Sequence, residues 1–319
     1  MVNRIEFIDI AKGVTILLVI VGHVSTLPSL MKGTIYSFHM PLFFMLSGYF
    51  LKINENVKSL AKRMVSTVLL PYVIVAVLIF LVKNVECLYN DSPFDYISLL
   101  SICGVCWRFD GMIVSVGAIW FLVVLFWSKI FALVALKQRR RIIYLIGMAT
   151  LSILISHYFH ILFPFGLQQA LPCSLFVLFG FICKEKKYFF IKIPARLIFI
   201  MLLSLLPFMK CLGVATRANS YRLGFVSIMA SCYIVWVLIM AIKSFSETDY
   251  KLLKYLKYFF SWCGRMSLII LSVHSVEARF FAYNNPNYFI EIFVRVSCVL
   301  ILSWLCIKVG IVKKLFNIK

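Results

Sequence analysis

Long apolar runs alternate with short polar segments along almost the whole chain. An α-helix needs about 17 to 25 predominantly apolar residues to cross a lipid bilayer. The pattern therefore predicts an all-α, polytopic integral membrane protein with about ten transmembrane helices. The apolar runs of this length lie at residues 8–27, 34–51, 64–83, 112–136, 142–160, 167–183, 195–213, 223–242, 259–282 and 288–308.

Charges in the connecting segments predict how these helices are oriented. Every second segment is rich in lysine and arginine, and by the positive-inside rule such segments face the cytoplasm. The segments between them carry few cations, and one contains Glu86, Asp91, Asp95 and Asp110. An even number of helices then places both termini in the cytoplasm. The basic clusters are Lys52, Lys58, Lys62 and Arg63; Lys137 and Arg139 to Arg141; Lys184, Lys186, Lys187 and Lys192; Lys251, Lys254 and Lys257; and Lys313, Lys314 and Lys319.

Composition excludes several classes of protein. Of the 319 residues, 63% are hydrophobic and 14% charged, and the mean hydropathy is +0.98, which excludes a soluble globular domain. The net charge of +21 lies in short connecting segments that set topology, so we expect no nucleic-acid partner. Asp9 and Lys12 interrupt the first run, and no cleavage pattern follows it, so we do not expect a cleavable signal peptide. Residues 1–319 are predicted to form a single transmembrane domain.

The cysteines do not indicate a metal site. Most of the ten cysteines fall within apolar runs, where packing is their ordinary role. Cys103 and Cys106 form a CxxC pair in an outside segment, but one pair without further ligands does not make a zinc site. Whether the two form a disulfide stays open, and no metal is expected.

Four ionisable residues, Asp9, Lys12, His23 and His39, interrupt the first two apolar runs. Ionisable groups inside a membrane are costly and usually functional. Lys12 and His23 are eleven residues apart, and eleven steps of 100° return to within about 20° of the same direction, about 16 Å further along a helix. We therefore expect the two side chains to share one face, with Asp9 one turn before Lys12. A structural interpretation also stays open, in which Asp9 and Lys12 neutralise each other near the cytoplasmic end of the helix.

The same region resembles a known family. The run Phe7-Ile-Asp-Ile-Ala-Lys-Gly-Val-Thr-Ile-Leu-Leu-Val-Ile-Val-Gly-His23, followed by Ser37-Phe-His-Met-Pro-Leu-Phe-Phe-Met-Leu-Ser-Gly-Tyr49, is similar to the opening of the membrane-bound acyltransferase-three family. Its motif of a basic residue, a ten-residue spacer and a histidine is filled by Lys12 and His23. Within that family the chain is most similar to the fucose 4-O-acetylase and O-antigen acetyltransferase branch. Further matches are Lys62-Arg63 with Pro71, Ile119-Trp-Phe-Leu122 and Gly264-Arg-Met-Ser-Leu-Ile-Ile-Leu-Ser-Val-His274.

The resemblance implies an O-acyltransferase of the bacterial inner membrane that moves an acetyl or other acyl group from acyl-coenzyme A to a sugar hydroxyl. The acceptor would be a surface or secreted polysaccharide or a lipid-linked sugar. Removing the hydroxyl proton needs a base, and histidine, with a pKa near 6.5, suits this at neutral pH. His23 is therefore the candidate base, with His39, Lys12 and Asp9 as further catalytic candidates.

Binding residues are expected on both sides of the membrane. The phosphates of coenzyme A need a basic mouth on the cytoplasmic side, which Lys62 and Arg63 supply. Trp120 and His274 are the candidates for acceptor binding, since sugars stack on aromatic rings. His23 lies deeper than Lys12, toward the outer face, so the pantetheine arm is expected to thread along the helix face to reach it.

Two other classes of function stay open. A transporter or flippase of lipid-linked sugars would share the helix count and the buried charges, although such proteins more often show internal repeats and broken helices. A lipid-sugar glycosyltransferase would be expected to carry acidic residues in its first outside loop, where residues 28–34 contain only Lys32 as a charged residue. Acetyl transfer to a glycan distinguishes the acyltransferase from both.

Overall fold

The structure is a computed structural model of the chain. It describes residues 5–96, 99, 107–109, 112–114, 117–159, 163–191, 193–209, 212–280 and 287–316. The Cys103 and Cys106 pair, Asp110 and most of the connection between residues 96 and 107 lie outside these ranges, so the expectations for them stay predictions.

Helices account for most of the described residues. They are α1 (Glu6–Gly22), α2 (Ser29–Tyr49), α3 (Val57–Met64), α4 (Leu70–Tyr89), α5 (Trp120–Leu136), α6 (Arg139–Phe159), α7 (Leu167–Glu185), α8 (Ala195–Met209), α9 (Phe225–Glu247), α10 (Lys251–Arg265), α11 (Ser267–Phe280), α12 (Tyr288–Lys308) and α13 (Gly310–Leu315). The prediction of a helical membrane protein is confirmed at this level.

Two short antiparallel ribbons are added to the helices of the predicted all-α fold. Strand β1 (Trp107–Phe109) pairs with β2 (Met112–Val114), and β3 (Val214–Ala215) pairs with β4 (Ser220–Tyr221). The second ribbon lies in a segment that connects helices, whereas β2 lies inside the predicted helix 112–136, whose observed helix begins only at Trp120. The second ribbon holds part of the candidate site in place.

Six helical segments of the described chain are long and apolar enough to cross a membrane, and a seventh is added if α10 and α11 count as one broken span. The axes of α10 and α11 differ by 71° at the break between Arg265 and Ser267, so the predicted single helix over 259–282 is wrong. A π-helical turn at Val65–Leu69 instead joins α3 and α4 into one helix, Val57–Tyr89, longer than the predicted 64–83. The count of ten therefore stays a prediction.

The interior of the bundle is built around α1 and α2. Most of α1 is buried, and it packs against α10, α2 and α12, while α2 packs against α7. Such a position explains why these two helices carry ionisable residues. Side chains that face other helices can be hydrogen-bonded by protein, whereas side chains that face lipid cannot.

Reciprocal glycines bring two of these helix pairs into close contact. A Cβ atom on Gly13 of α1 would lie 1.8 Å from the carbonyl oxygen of Phe260, and one on Gly264 of α10 would lie 1.8 Å from that of Asp9. In the same way, a Cβ atom on Gly48 of α2 would lie 2.0 Å from the carbonyl oxygen of Val177, and one on Gly180 of α7 would lie 2.0 Å from that of Met45. Small residues at such crossings let helix backbones approach closely. These two contacts fix the position of α1 and α2 in the bundle.

Candidate active site

One cavity lies at the C-terminal end of α1, and we call it the histidine cavity. Its volume is about 340 Å³. Residues from α1, α2, the turn before α5, α5, β3 with the connection that follows it, and α11 form its wall, so sequence positions about 250 residues apart meet there. The wall consists of Val19, His23, Tyr36, His39, Met40, Phe43, Ala118, Trp120, Phe121, Val214, Ala215, Thr216, Arg217, Ala218 and Leu271.

His23 is held in the tautomer that a general base requires. Its Nδ1 lies 2.7 Å from the carbonyl oxygen of Val19. Since a carbonyl can only accept, Nδ1 carries the hydrogen and the neutral ring keeps its lone pair on Nε2. An imidazole in this state can take a proton from a hydroxyl group in the cavity.

His39 and Tyr36 form the opposite wall of the histidine cavity. His39 Nδ1 lies 2.9 Å from the carbonyl oxygen of Ile35, so its Nε2 is likewise the free acceptor. The Tyr36 hydroxyl donates to the carbonyl oxygen of Gly22 at 3.0 Å, and its ring centroid lies 5.1 Å from that of His39. The structure thus brings His23 and His39, predicted from two separate helices, to one cavity.

Behind His23 lies a buried cluster of charged side chains. The His274 ring centroid is 5.2 Å from that of His23, and His274 Nδ1 lies 3.3 Å from Glu277 Oε2 without the alignment of a hydrogen bond. Arg295 Nε lies 3.4 Å from Glu291 Oε1 and 3.9 Å from Glu277 Oε1. A buried arginine between two carboxylates is compensated by them.

This cluster also fixes the backbone at the end of α1. Arg295 Nη1 donates to the carbonyl oxygen of His23 at 3.1 Å. Glu291 accepts hydrogen bonds from the backbone nitrogen of Ser25 at 3.3 Å and from the hydroxyl of Thr26 at 2.8 Å. Helix α12 therefore holds the turn that follows the candidate base.

A second cavity lies further toward the N-terminal end of α1, and we call it the lysine cavity. It has a volume of about 280 Å³, and Lys12 and Lys129 are the two ionisable residues in its wall. Hydroxyl groups of Ser47, Thr67 and Ser267 add polar atoms to an otherwise apolar lining. Two cations without a carboxylate in the same wall suit an anionic or strongly polar ligand.

The two cavities are separated by a partition of three side chains, Phe43, Phe121 and Leu271, which line both of them. The Phe43 and Phe121 rings are 5.7 Å apart, centroid to centroid. Lys12 and Ile16 face one cavity, and Val19 and His23 face the other. One face of α1 thus runs along both cavities, as the spacing of Lys12 and His23 predicts.

Three predicted residues lie elsewhere. Asp9 lines a separate cleft against Lys254, Lys257 and Arg265, and it forms no ion pair with Lys12 within the described chain. Three residues at 100° each make 300°, so Asp9 points about 60° away from Lys12 around the helix, which accounts for the different face. Lys62 and Arg63 are exposed on α3 and do not line the lysine cavity. Arg63 instead pairs with Glu55 at 2.7 Å.

Of the two predicted acceptor residues, only Trp120 lines the histidine cavity, whereas His274 stands behind His23. Sequence reasoning missed Lys129, Arg217, Glu291 and Arg295. A lysine within an apolar run is a detectable signal, so Lys129 could have been found. Arg217, Glu291 and Arg295 carry no such signal, and only the folded structure shows that they lie near His23.

A comparison with models of known protein families gives one match. The family model described as an acyltransferase domain, acyltransferase-3, matches residues 5–308. No curated protein and no solved structure matches the chain.

Proposed function

The chain belongs to the acyltransferase-3 family and is an acyltransferase, and on that premise we propose that it is a membrane-bound O-acyltransferase that acylates a sugar hydroxyl. The donor would be acetyl-coenzyme A or another acyl-coenzyme A. The acceptor would be a surface or secreted polysaccharide or its lipid-linked precursor, as in the fucose 4-O-acetylase and O-antigen acetyltransferase branch.

The single observation that carries this proposal is the face of α1 that joins the two cavities. A base with its Nε2 free lies in one cavity, and Lys12, about 16 Å away along the same helix, lies in the other together with Lys129 of α5. An acyl-coenzyme A donor would match the two cavities, because it has a highly charged nucleotide at one end for the lysines and a reactive thioester carbonyl at the other end for the base. An extended pantetheine arm suits the path between the cavities.

The chemistry of the histidine cavity follows from its hydrogen bonds. Nε2 of His23 accepts the proton of the sugar hydroxyl while its oxygen attacks the thioester carbonyl carbon. The new carbon–oxygen bond forms, the carbon–sulfur bond breaks, and the coenzyme A thiolate leaves. The proton on His23 then neutralises the thiolate, so the imidazole returns to its neutral state.

The lysine cavity is the part of the site that supports an acyl-coenzyme A donor. Lys129 lies within electrostatic reach of Lys12 and of the Arg63 and Glu55 pair, so this exposed pair marks the side of the cavity that faces α3. Lys62 and Arg63 would then attract the phosphates at the entrance, and Lys12 and Lys129 would hold polar groups further in. Lys12 also lies 5.3 Å from the Phe50 ring centroid, which favours a cation at that position.

The acceptor side is supported by aromatic groups. Trp120 and Tyr36 border the histidine cavity and offer ring faces against which a sugar can stack. By the positive-inside rule, the basic loops support an orientation in which the lysine cavity would face the cytoplasm and the histidine cavity the outer side of a bacterial inner membrane. The donor would therefore enter from inside, and the acceptor from the outer side or leaflet.

The test is acyl transfer by membranes that contain the protein. Membranes would be supplied with acetyl-coenzyme A labelled in the acetyl group and with polysaccharide or lipid-linked sugar, and ester-linked label in the glycan would be measured. We expect label in the glycan that mild alkali releases, and none with membranes that lack the protein. Movement of lipid-linked sugar across the membrane without acylation would contradict the proposal and favour a flippase.

A further inference from the structure

Arg217 lines the histidine cavity but does not belong to the motif that contains Lys12 and His23. It lies in the short helical turn Thr216–Ala218 between β3 and β4. The turn shares the cavity wall with His23, Tyr36 and Trp120. A guanidinium group is therefore present in the space where the acceptor hydroxyl has to lie.

The turn that carries Arg217 is tightly held. The side-chain amide of Asn219 donates to Ser152 Oγ at 2.8 Å and to Ser156 Oγ at 2.8 Å, and Asn219 is fully buried. Gln169 Nε2 donates to the Arg217 carbonyl oxygen at 3.4 Å. A network that joins the turn to α6 and α7 fixes the backbone from which the arginine projects.

The charge of Arg217 is not compensated within the described part of the chain. Its Nε is buried and has no hydrogen-bond partner, and no described carboxylate forms an ion pair with it. Among the described residues, no aspartate or glutamate lines the histidine cavity. Arg295 and Arg63, by contrast, each lie beside a carboxylate.

We propose that Arg217 binds an anionic group of the acceptor, a carboxylate or a phosphate, and so places one sugar hydroxyl at His23. This inference rests on the proposed O-acyltransferase function and names its acceptor class. Arg217 is half-buried, and its buried Nε without a hydrogen-bond acceptor costs free energy. A planar guanidinium pairs with carboxylate or phosphate through two parallel hydrogen bonds. An acidic sugar would supply the carboxylate, and a lipid-linked sugar would supply the phosphate.

Three acceptors separate these sources: an oligosaccharide that contains uronic acid, the same oligosaccharide with its carboxyl groups reduced, and a neutral sugar linked to polyprenyl pyrophosphate. The wild-type protein should show a KM for at least one anionic acceptor that is about tenfold or more below the KM for the reduced one, because charged hydrogen bonds contribute about 1.5 to 3 kcal/mol. Whichever anionic acceptor shows this preference identifies the source.

Arg217→Gln should remove that preference while the KM for acetyl-coenzyme A stays unchanged. Arg222→Gln is the matched control, since Arg222 is an exposed arginine in the same hairpin, and it should keep the preference. Arg217→Lys should keep part of it, because the cation remains but the two-pronged pairing is lost.

The outcomes distinguish this inference from the function on which it rests. If the wild-type protein acylates none of the three acceptors, the proposed function fails. Equal use of the charged and reduced oligosaccharides and of the pyrophosphate-linked sugar would overturn the role of Arg217 and leave the acyltransferase intact. An equal loss of rate on all three acceptors in Arg217→Gln would also overturn it, since an anion-binding residue discriminates between them.

Discussion

His23 combines a half-buried position with a free lone pair. Its hydrogen bond to the Val19 carbonyl satisfies Nδ1 within α1, and Arg295 holds its own carbonyl oxygen, so the ring needs no other partner to stay in place. His23 could be proposed from the sequence, because its spacing from Lys12 gives a shared helix face and matches the motif of the family. Arg295 could not be proposed in this way, because it is 272 residues away and carries no local signal.

At the residue scale we predict that His23→Ala loses acyl transfer by a factor of about 100 to 10,000, the usual contribution of a positioned base. The label transferred from acetyl-coenzyme A to glycan measures this loss, and size-exclusion chromatography checks that the variant is folded. His157→Ala is the control, because His157 is exposed at the end of α6, and it should keep full activity. Near-normal transfer by folded His23→Ala would remove His23 from the mechanism.

At the scale of the elements, hydropathy predicts that a segment is helical but not where the helix bends. The run at 288–308 coincides with α12, because its ends are marked by Asn287, whose side chain caps the helix, and by Lys308. The run at 259–282 is continuous in hydropathy, yet the chain bends after Arg265. A bend depends on which helices pack on each side, and α10 packs on α1 through Gly264, a contact that one-dimensional periodicity does not contain.

We predict that Gly264→Ala destabilises the protein by about 1 to 3 kcal/mol or more, the usual cost of overpacking, because the added methyl group would meet the Asp9 carbonyl oxygen at 1.8 Å. Thermal unfolding in detergent would measure the effect. The matched control is Gly147→Ala in α6, where nothing lies within 4 Å of the new Cβ, and its midpoint should not fall. Equal midpoints for the two variants would show that α1 and α10 do not depend on this close contact.

At the scale of the whole molecule, the two cavities occupy different levels of the bundle. The sequence predicts their levels through Lys12 and His23 and their sides through the basic loops. It does not predict the partition, because Phe43, Phe121 and Leu271 come from three helices and look like ordinary packing residues in each of them. Only tertiary structure shows that the path along α1 is closed in its middle.

We predict that the two cavities are reached from opposite sides of the membrane. With the accessible native cysteines changed to serine, Ser47→Cys in the lysine cavity should react with an impermeant maleimide from the cytoplasmic side only. Ala218→Cys in the histidine cavity should react from the other side only. Ile20→Cys, fully buried on α1, is the control that should stay unlabelled. Labelling of both cavity positions from one side would contradict the predicted orientation.

The aromatic partition has a consequence for the cell as well as for the reaction. A path that lets an acyl chain through an energised membrane is also a route for ions and protons, and an apolar constriction blocks it by excluding water. If the proposed thioester donor reaches His23 along α1, the phenyl rings of Phe43 and Phe121 would have to part for it and would otherwise insulate one side of the membrane from the other.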